Sequence, residues 1–461
     1  MKNRSVFFLL IAVFVLSTGC KKWAVEKTNI YKYVIPAGQT VSDATPLCGS
    51  IKGTMLSGKT YTISCDVIVG ASDTLLLQPG VTINVTNGAG IVVLGTFISL
   101  GTQAQPNWIT VAGTTKNETP GLSPASDPAF SAKWKGLLGG PNCPLMVLKW
   151  THVEFGGAAY GPTVAPLVNQ SNSTSFAVLF QNYNGSFIME DSWLYGSTDD
   201  AMRISNGKIH IMRNTFEKAG LNGGDCVNVK GGTVGTMAYN FFIGTATNGQ
   251  KASNKGQPTG APQTNIVMYN NTFVNGGYRQ IQTGRGGCIN YEEGAKGMYY
   301  NNVAINCKFG FRVVNNPVAD TANLKYGYNY SYADSLVVAN QFYPVGYITR
   351  PQSSDIPATT FLPANYTLGS VYDGSSVIQV NKPLFINYPL PVTGGLRLSD
   401  IKSIGSFNFH LQLSSPLVGK GYTSISPLVV VPLDLVYGAT EVTPPGVDLG
   451  CYQINGTGNH H

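Results

Sequence analysis

Charge is scarce in this chain. Of 461 residues, 30 are Lys or Arg and 23 are Asp or Glu, 11% in all, against roughly a quarter in an ordinary soluble domain. That figure excludes a disordered polyelectrolyte. The net charge of +7 falls by two if Lys2 and Arg4 leave with a leader, and it is too small and scattered to argue for nucleic acid as a partner. His152, His210 and His410 stand alone and no Cys-x-x-Cys occurs, so a transition-metal site has no support. Beyond the N-terminus no apolar run reaches the roughly 18 residues that suggest a membrane span. The 54 Gly and 26 Pro cut the apolar content into short pieces, which excludes long helical bundles and coiled coils.

What is present begins with a leader. Lys2 and Arg4 precede an apolar run of 11 residues, Val6 to Leu16, followed by Ser17-Thr18-Gly19-Cys20. A run that short belongs to a signal peptide. Its last four residues resemble the processing site of bacterial lipoproteins, which implies that Cys20 accepts the lipid. Residues 1–20 are then the lipoprotein signal peptide with its lipid-site cysteine, 21–46 a tether and N-terminal cap, and 47–461 the folded body. Acyl chains would hold the protein at the outer membrane, on its cell-surface or periplasmic face. Seven further cysteines leave at least one free or externally paired, and Cys48 with Cys65 suits a disulfide in an exported protein.

An internal repeat sets the architecture. Segments centred on Asp191, Asn214, Asn240, Asn271 and Asn302 align, with separations of 23, 26, 31 and 31 residues, and Thr151 fits the same frame earlier in the chain. Short strands at that period, broken by Gly and Asn, suit the coils of a parallel β-helix. An Asn at each internal turn can hydrogen-bond to the Asn of the next coil and to the backbone, which is the physical reason for a column of them. The segments Thr74-Leu75-Leu76-Leu77-Gln78-Pro79-Gly80-Val81 and Gly90-Ile91-Val92-Val93-Leu94-Gly95-Thr96 are similar to the opening coils of right-handed β-helix proteins of the pectin-lyase-like superfamily. Residues 382–387, 409–421 and 447–452 look like that superfamily's terminal coil. The resemblance implies an all-β, right-handed parallel β-helix, a single-stranded solenoid occupying 47–461 and closed by a terminal coil.

Placing Met202, Ile204, Val227, Val229, Ile281, Phe311 and Val313 inside leaves Arg203, Asn228, Asn254, Gln282 and Arg312 in an outward column, with Asp200, Asp225, Lys251 and Arg279 beside it. Amides, guanidiniums and carboxylates one coil apart suit a sugar chain lying along the rod. Arg279, Arg285 and Lys251 would accept the carboxylates of uronic acids. Asp200 and Asp225 on neighbouring coils would approach to about 5 Å, as a retaining glycosidase requires; with Asp199 and backbone carbonyls they would equally hold Ca²⁺, and no other cofactor is expected. Ser197-Thr198-Asp199-Asp200 resembles the acidic segment of polygalacturonases, but the Gly-His-Gly and Arg-Ile-Lys elements of those hydrolases are missing. A lyase would draw on Arg285 and Lys296 near Glu292 and Glu293, where a solvated turn is the simpler reading. Tyr326, Tyr328, Tyr330 and Tyr332 alternate and would form an aromatic platform if their strand faced outward.

The favoured expectation is an envelope-anchored lipoprotein that binds a polysaccharide, acidic if the cations are used, without chemistry of its own. A polysaccharide lyase or glycoside hydrolase on the same scaffold is the first alternative. The second is an accessory subunit docking an outer-membrane transporter complex.

Overall fold

The computed structural model describes residues 39–314, 316–343, 352–357, 370–392 and 398–461. The chain divides into two compact units, Met1–Lys32 and Tyr33–His461. The expectations for the leader, Cys20 and the start of the tether lie outside the described residues.

The second unit is dominated by one sheet of 27 strands, and the ladders that stack one coil on the next are parallel throughout. Each coil lays down three short strands. In one coil these are Ser186–Glu190, Trp193–Tyr195 and the start of Met202–Met212; in the next they are the end of Met202–Met212, Thr215–Glu217 and the start of Val227–Ala238. Each pairs with its equivalent one coil on, as in Glu190↔Met212, Trp193↔Thr215 and Met202↔Val227. Stacking therefore produces three parallel sheets around a common interior, a β-solenoid. β-Branched and aromatic residues fill it one layer per coil: Phe216, Phe242 and Phe273 lie over one another with ring centroids 4.7 and 4.8 Å apart.

The bend between the first and second sheets is made the same way in coil after coil. The residue before the ladder position has positive φ, as in Arg213 (59°), Tyr239 (56°), Asn270 (50°) and Asn301 (59°). This bend leaves the following N–H without a strand partner, and the Asn column supplies one. The Oδ1 of Asn240, Asn271 and Asn302 accepts both the backbone N–H and the side-chain N–H of the Asn one coil earlier, at 2.9–3.1 Å. Asn329 accepts the same two bonds from Asn302, at 3.1 and 3.2 Å. The ladder ends at Asp355, which accepts the Asn329 N–H at 3.0 Å.

One expected member is displaced by a residue. Ser192, not Asp191, takes the ladder position: its N–H donates to Asn214 Oδ1 at 2.9 Å and its Oγ accepts the Thr151 N–H at 3.0 Å. Asp191 pairs instead with Arg213 at 2.8 Å and with His460. A hydroxyl replaces the amide because it too offers both a donor and an acceptor.

The C-terminal residues do not close the helix as a last coil. Phe385–Asn387 and Asn408–Leu411 pair only with each other, antiparallel. Residues 422–461 instead run along the flank as a strap. Tyr422 O accepts from Asn301 Nδ2 at 2.9 Å; Asp434 O and Leu435 O accept from Lys149. Returning, Thr440 N–H meets Glu190 and Gly450 N–H meets Asn301 O, before His461 stacks on Trp193, centroids 3.8 Å apart. The strap covers Tyr239 and Tyr269, whose hydroxyls donate to Pro444 O and Thr443 O, and its Tyr452 joins Phe409 on Phe241; with Tyr330 these form a second apolar cluster outside the solenoid interior. Cys48 and Cys65 are disulfide-bonded.

Candidate functional site

The third sheet carries the polar face. Its strands register Arg203↔Asn228↔Lys251↔Asn290↔Arg312, one residue per coil. Inward neighbours Met202, Ile204, Val227, Val229 and Ile289 are buried in the core, so period-two alternation turns this column outward. The turns on either side vary in length. Residues 275–288 form a loop along one edge, and Lys255, Glu293, Asn316 and Pro317 stand on the other; together with Arg203, Asn228, Lys251 and Arg312 they enclose a cleft of about 620 Å³, while Asn290 is buried beneath Arg312 and Glu292.

Asp200 and Asp225 occupy equivalent positions two residues before the strands, and both line the cleft. Asp200 accepts the Asp225 N–H at 2.7 Å, the Asn228 amide at 2.9 Å and the Arg203 Nε at 2.9 Å. Asp225 accepts the backbone and side-chain N–H groups of Asn248 at 3.2 and 2.6 Å. Their oxygens thus tie coil to coil. Burial pushes the Asp200 carboxyl above its ordinary range against the pull of Arg203, and the nearby Asp225 and Asp199 carboxylates add to the push. Among the described residues no group of three or more His, Cys, Asp or Glu is placed to hold a metal ion.

The cations are spread unevenly. Lys251 lies 2.7 Å from Glu292 and 3.7 Å from Asp225; burial opposes its charge, but these carboxylates hold its pKa above the ordinary value. Lys230 is less well compensated, with Glu293 at 3.9 Å. Burial, then the positive charges of Lys251 and Arg203, pull its pKa down to about 8. Burial opposes ionisation of Glu293, yet the Ser253 hydroxyl and Lys230, Lys255 and Lys251 bring it below the carboxylate norm. Arg312 donates to Asn290 Oδ1 at 3.0 and 3.2 Å. Two buried oxygens bordering the cleft, Asn228 Oδ1 and Asn248 Oδ1, accept no hydrogen bond.

Several expected residues sit elsewhere. Arg279 is turned away from the cleft: its guanidinium donates to the carbonyls of Ala219, Gly220 and Gly244 at 2.7–3.1 Å and lies 4.8 Å over the Phe130 ring. It pins a loop. Gln282 is exposed on that loop outside the cleft lining, and Ile281, expected inside, is 76% exposed. Asn254 holds a turn with Gln257 and Thr264. The column positions assigned to Gln282 and Asn254 belong to Asn290 and Lys251. The tyrosines do not form a platform, because the strand breaks at Tyr328 (φ 54°); Tyr330 and Tyr332 are buried under the C-terminal residues while Tyr326 stacks on Tyr299 at 4.7 Å. Lys296 lies on the first sheet, outside the cleft lining.

Sequence reasoning passes over Lys230, Asn248 and Asn290. Lys230 lies two residues on from Asn228 on the same strand, Asn248 and Asn290 are one coil from Asp225 and Lys251, and counting back from the following ladder Asn places Asn290 as it places Asn228, twelve residues before Asn302 and Asn240 respectively. Comparison of the chain with protein-family models, with curated proteins and with solved structures returns no match.

Proposed function

We propose that this protein binds a polysaccharide in the cleft on its third sheet. One observation carries the reading: Arg203, Asn228, Lys251 and Arg312 of the outward column and the flanking Asp200, Asp225, Lys230, Glu292 and Glu293 line a single polar cleft several coils long. A sugar chain along the solenoid axis meets donors and acceptors at each coil, about 4.8 Å apart. We take the solenoid to be right-handed, as nearly all parallel crossovers are, and of the pectin-lyase-like kind. We take the whole to be anchored through a lipid on Cys20 at the outer membrane.

Affinity electrophoresis through a panel of immobilised polysaccharides tests the binding. Retardation by at least one is expected, and mobility unchanged in every gel overturns the reading. Incorporation of a labelled fatty acid, abolished by Cys20→Ser, tests the anchor separately.

Lys230 favours a second reading, in which the bound chain is cleaved. A lysine whose pKa lies near neutrality is a competent general base, and β-elimination from a uronate needs one to take the proton beside the carboxylate. Asp200 and Asp225 support a glycosidase less, since their oxygens are engaged by backbone and amide donors. Appearance of unsaturated ends from an acidic glycan, lost in Lys230→Met, would select this reading over simple binding.

A further inference from the structure

The loop of residues 276–287 is built to hold one side chain over the cleft. It leaves the second sheet through Gly276-Gly277 and returns through Gly286-Gly287 to the third. Gly277, Gly286 and Gly287 have φ of 92°, 131° and 144°, a region that side chains other than glycine's avoid. A Cβ on Gly277 would lie 2.8 Å from the Lys308 Cβ, and one on Gly287 2.9 Å from Asn248 Oδ1. The first half of the loop is fixed: besides the Arg279 carbonyl contacts, Gln280 Nε2 donates to Thr247 Oγ1 at 2.6 Å and Ile281 N–H to Asn222 O at 3.2 Å. The second half then runs back along the cleft wall, where Thr283, Gly284 and Arg285 line it.

Arg285 differs from the other cations there. Arg203 is bound to Asp200, Lys251 to Glu292, and Lys230 and Lys255 share Glu293 at 3.9 and 3.8 Å. Among the described residues the Arg285 side chain makes no ion pair or hydrogen bond, and it is exposed. Asp200, Asp225, Glu292 and Glu293 are committed to other groups, and Asp199, the remaining carboxylate of the lining, makes no ion pair with Arg285. A guanidinium fork in this state matches a carboxylate or a sulfate ester through two parallel hydrogen bonds.

We propose that Arg285, carried on this glycine-flanked loop, selects saccharides bearing an anionic group over neutral ones. The inference rests on the glycan reading and names its ligand class. Neutral hydroxyls are met by the amides of the floor, whereas the anionic group is met at the loop.

The test is equilibrium binding of the full chain to matched pairs: polygalacturonate with its methyl ester, and dextran sulfate with dextran. The charged member of at least one pair is expected to bind about tenfold tighter, with the difference shrinking as salt rises. Preference within the first pair assigns a carboxylate, within the second a sulfate ester. Arg285→Gln should abolish most of the preference, Arg285→Lys should restore part of it, and Gln282→Ala on the same loop should leave it intact. Equal binding within both pairs, or full preference in Arg285→Gln, overturns the inference while the glycan reading stands. Failure to bind all four, with no retardation anywhere in the wider panel, overturns both.

Discussion

Two polar columns run along this solenoid, and they solve the stacking problem differently. The ladder at the first bend repeats one residue type, because an Asn carries a donor and an acceptor and can satisfy its own copy one coil away. The column on the third sheet cannot repeat, since identical charges about 4.8 Å apart would repel. It alternates instead: Arg203, Asn228, Lys251, Asn290, Arg312. Cations recur on every second coil with an amide between them, and carboxylates approach from the sides. The ladder is thereby closed on itself. The cleft around the second column leaves Lys230 and Arg285 with weak or no anionic partners, and such incomplete compensation is where an anionic ligand gains.

The largest expected effect comes from opening the closed column. Asn271→Ala removes the acceptor of both Asn240 donors and leaves them buried, which should cost about 3 kcal/mol or more in denaturant unfolding; a loss under about 1 kcal/mol would mean the ladder is redundant. Next is its charged end. Burial raises the Asp355 pKa from 3.8 to about 6, so the folded state holds this proton more tightly than the unfolded chain. The group's contribution is fully present below about pH 4 and is lost as pH rises to about 6, a decline of about 3 kcal/mol. Asp355→Asn should flatten that decline and raise stability at pH 7, and an unchanged pH profile would refute it.

The cleft beside the second column should respond with the opposite sign. Lys230→Met removes a poorly compensated cation and should stabilise the fold by about 1–2 kcal/mol at pH 7 while weakening glycan binding. With a folded pKa of about 8 against an ordinary 10.5, wild-type Lys230 makes stability rise between about pH 8 and 10.5, a rise the variant should lack. Destabilisation by Lys230→Met would erase the contrast between the columns. The smallest effect is expected of Gln282→Ala, within about 0.5 kcal/mol of wild type by thermal unfolding.

The closed column was the legible one. Little besides a stacked ladder demands Asn at one coil spacing, and the strands on either side alternate in hydrophobicity. Asp191 was misplaced because the frame tolerates a hydroxyl, and the acidic neighbour looked more like Asn than Ser192 did. The third sheet was half legible. Arg203, Asn228 and Arg312 follow from alternation, whereas Gln282 and Asn254 were misassigned because the turn between the second and third sheets runs from Ile243 to Gln250 in one coil and from Val274 to Ile289 in another. A fixed offset cannot survive that change. The strap left no signal, because lateral docking on a solenoid flank imposes no period on the docking segment.

That strap has a consequence for synthesis. Coils join nearest neighbours, so they can assemble in the order in which the ribosome delivers them. The flank holding Tyr239 and Tyr269 is another matter, since its cover lies some two hundred residues downstream. Until those last residues emerge, a nascent chain carries a finished rod with one greasy side, and a product stopped short of residue 422 should aggregate even though every coil is in place.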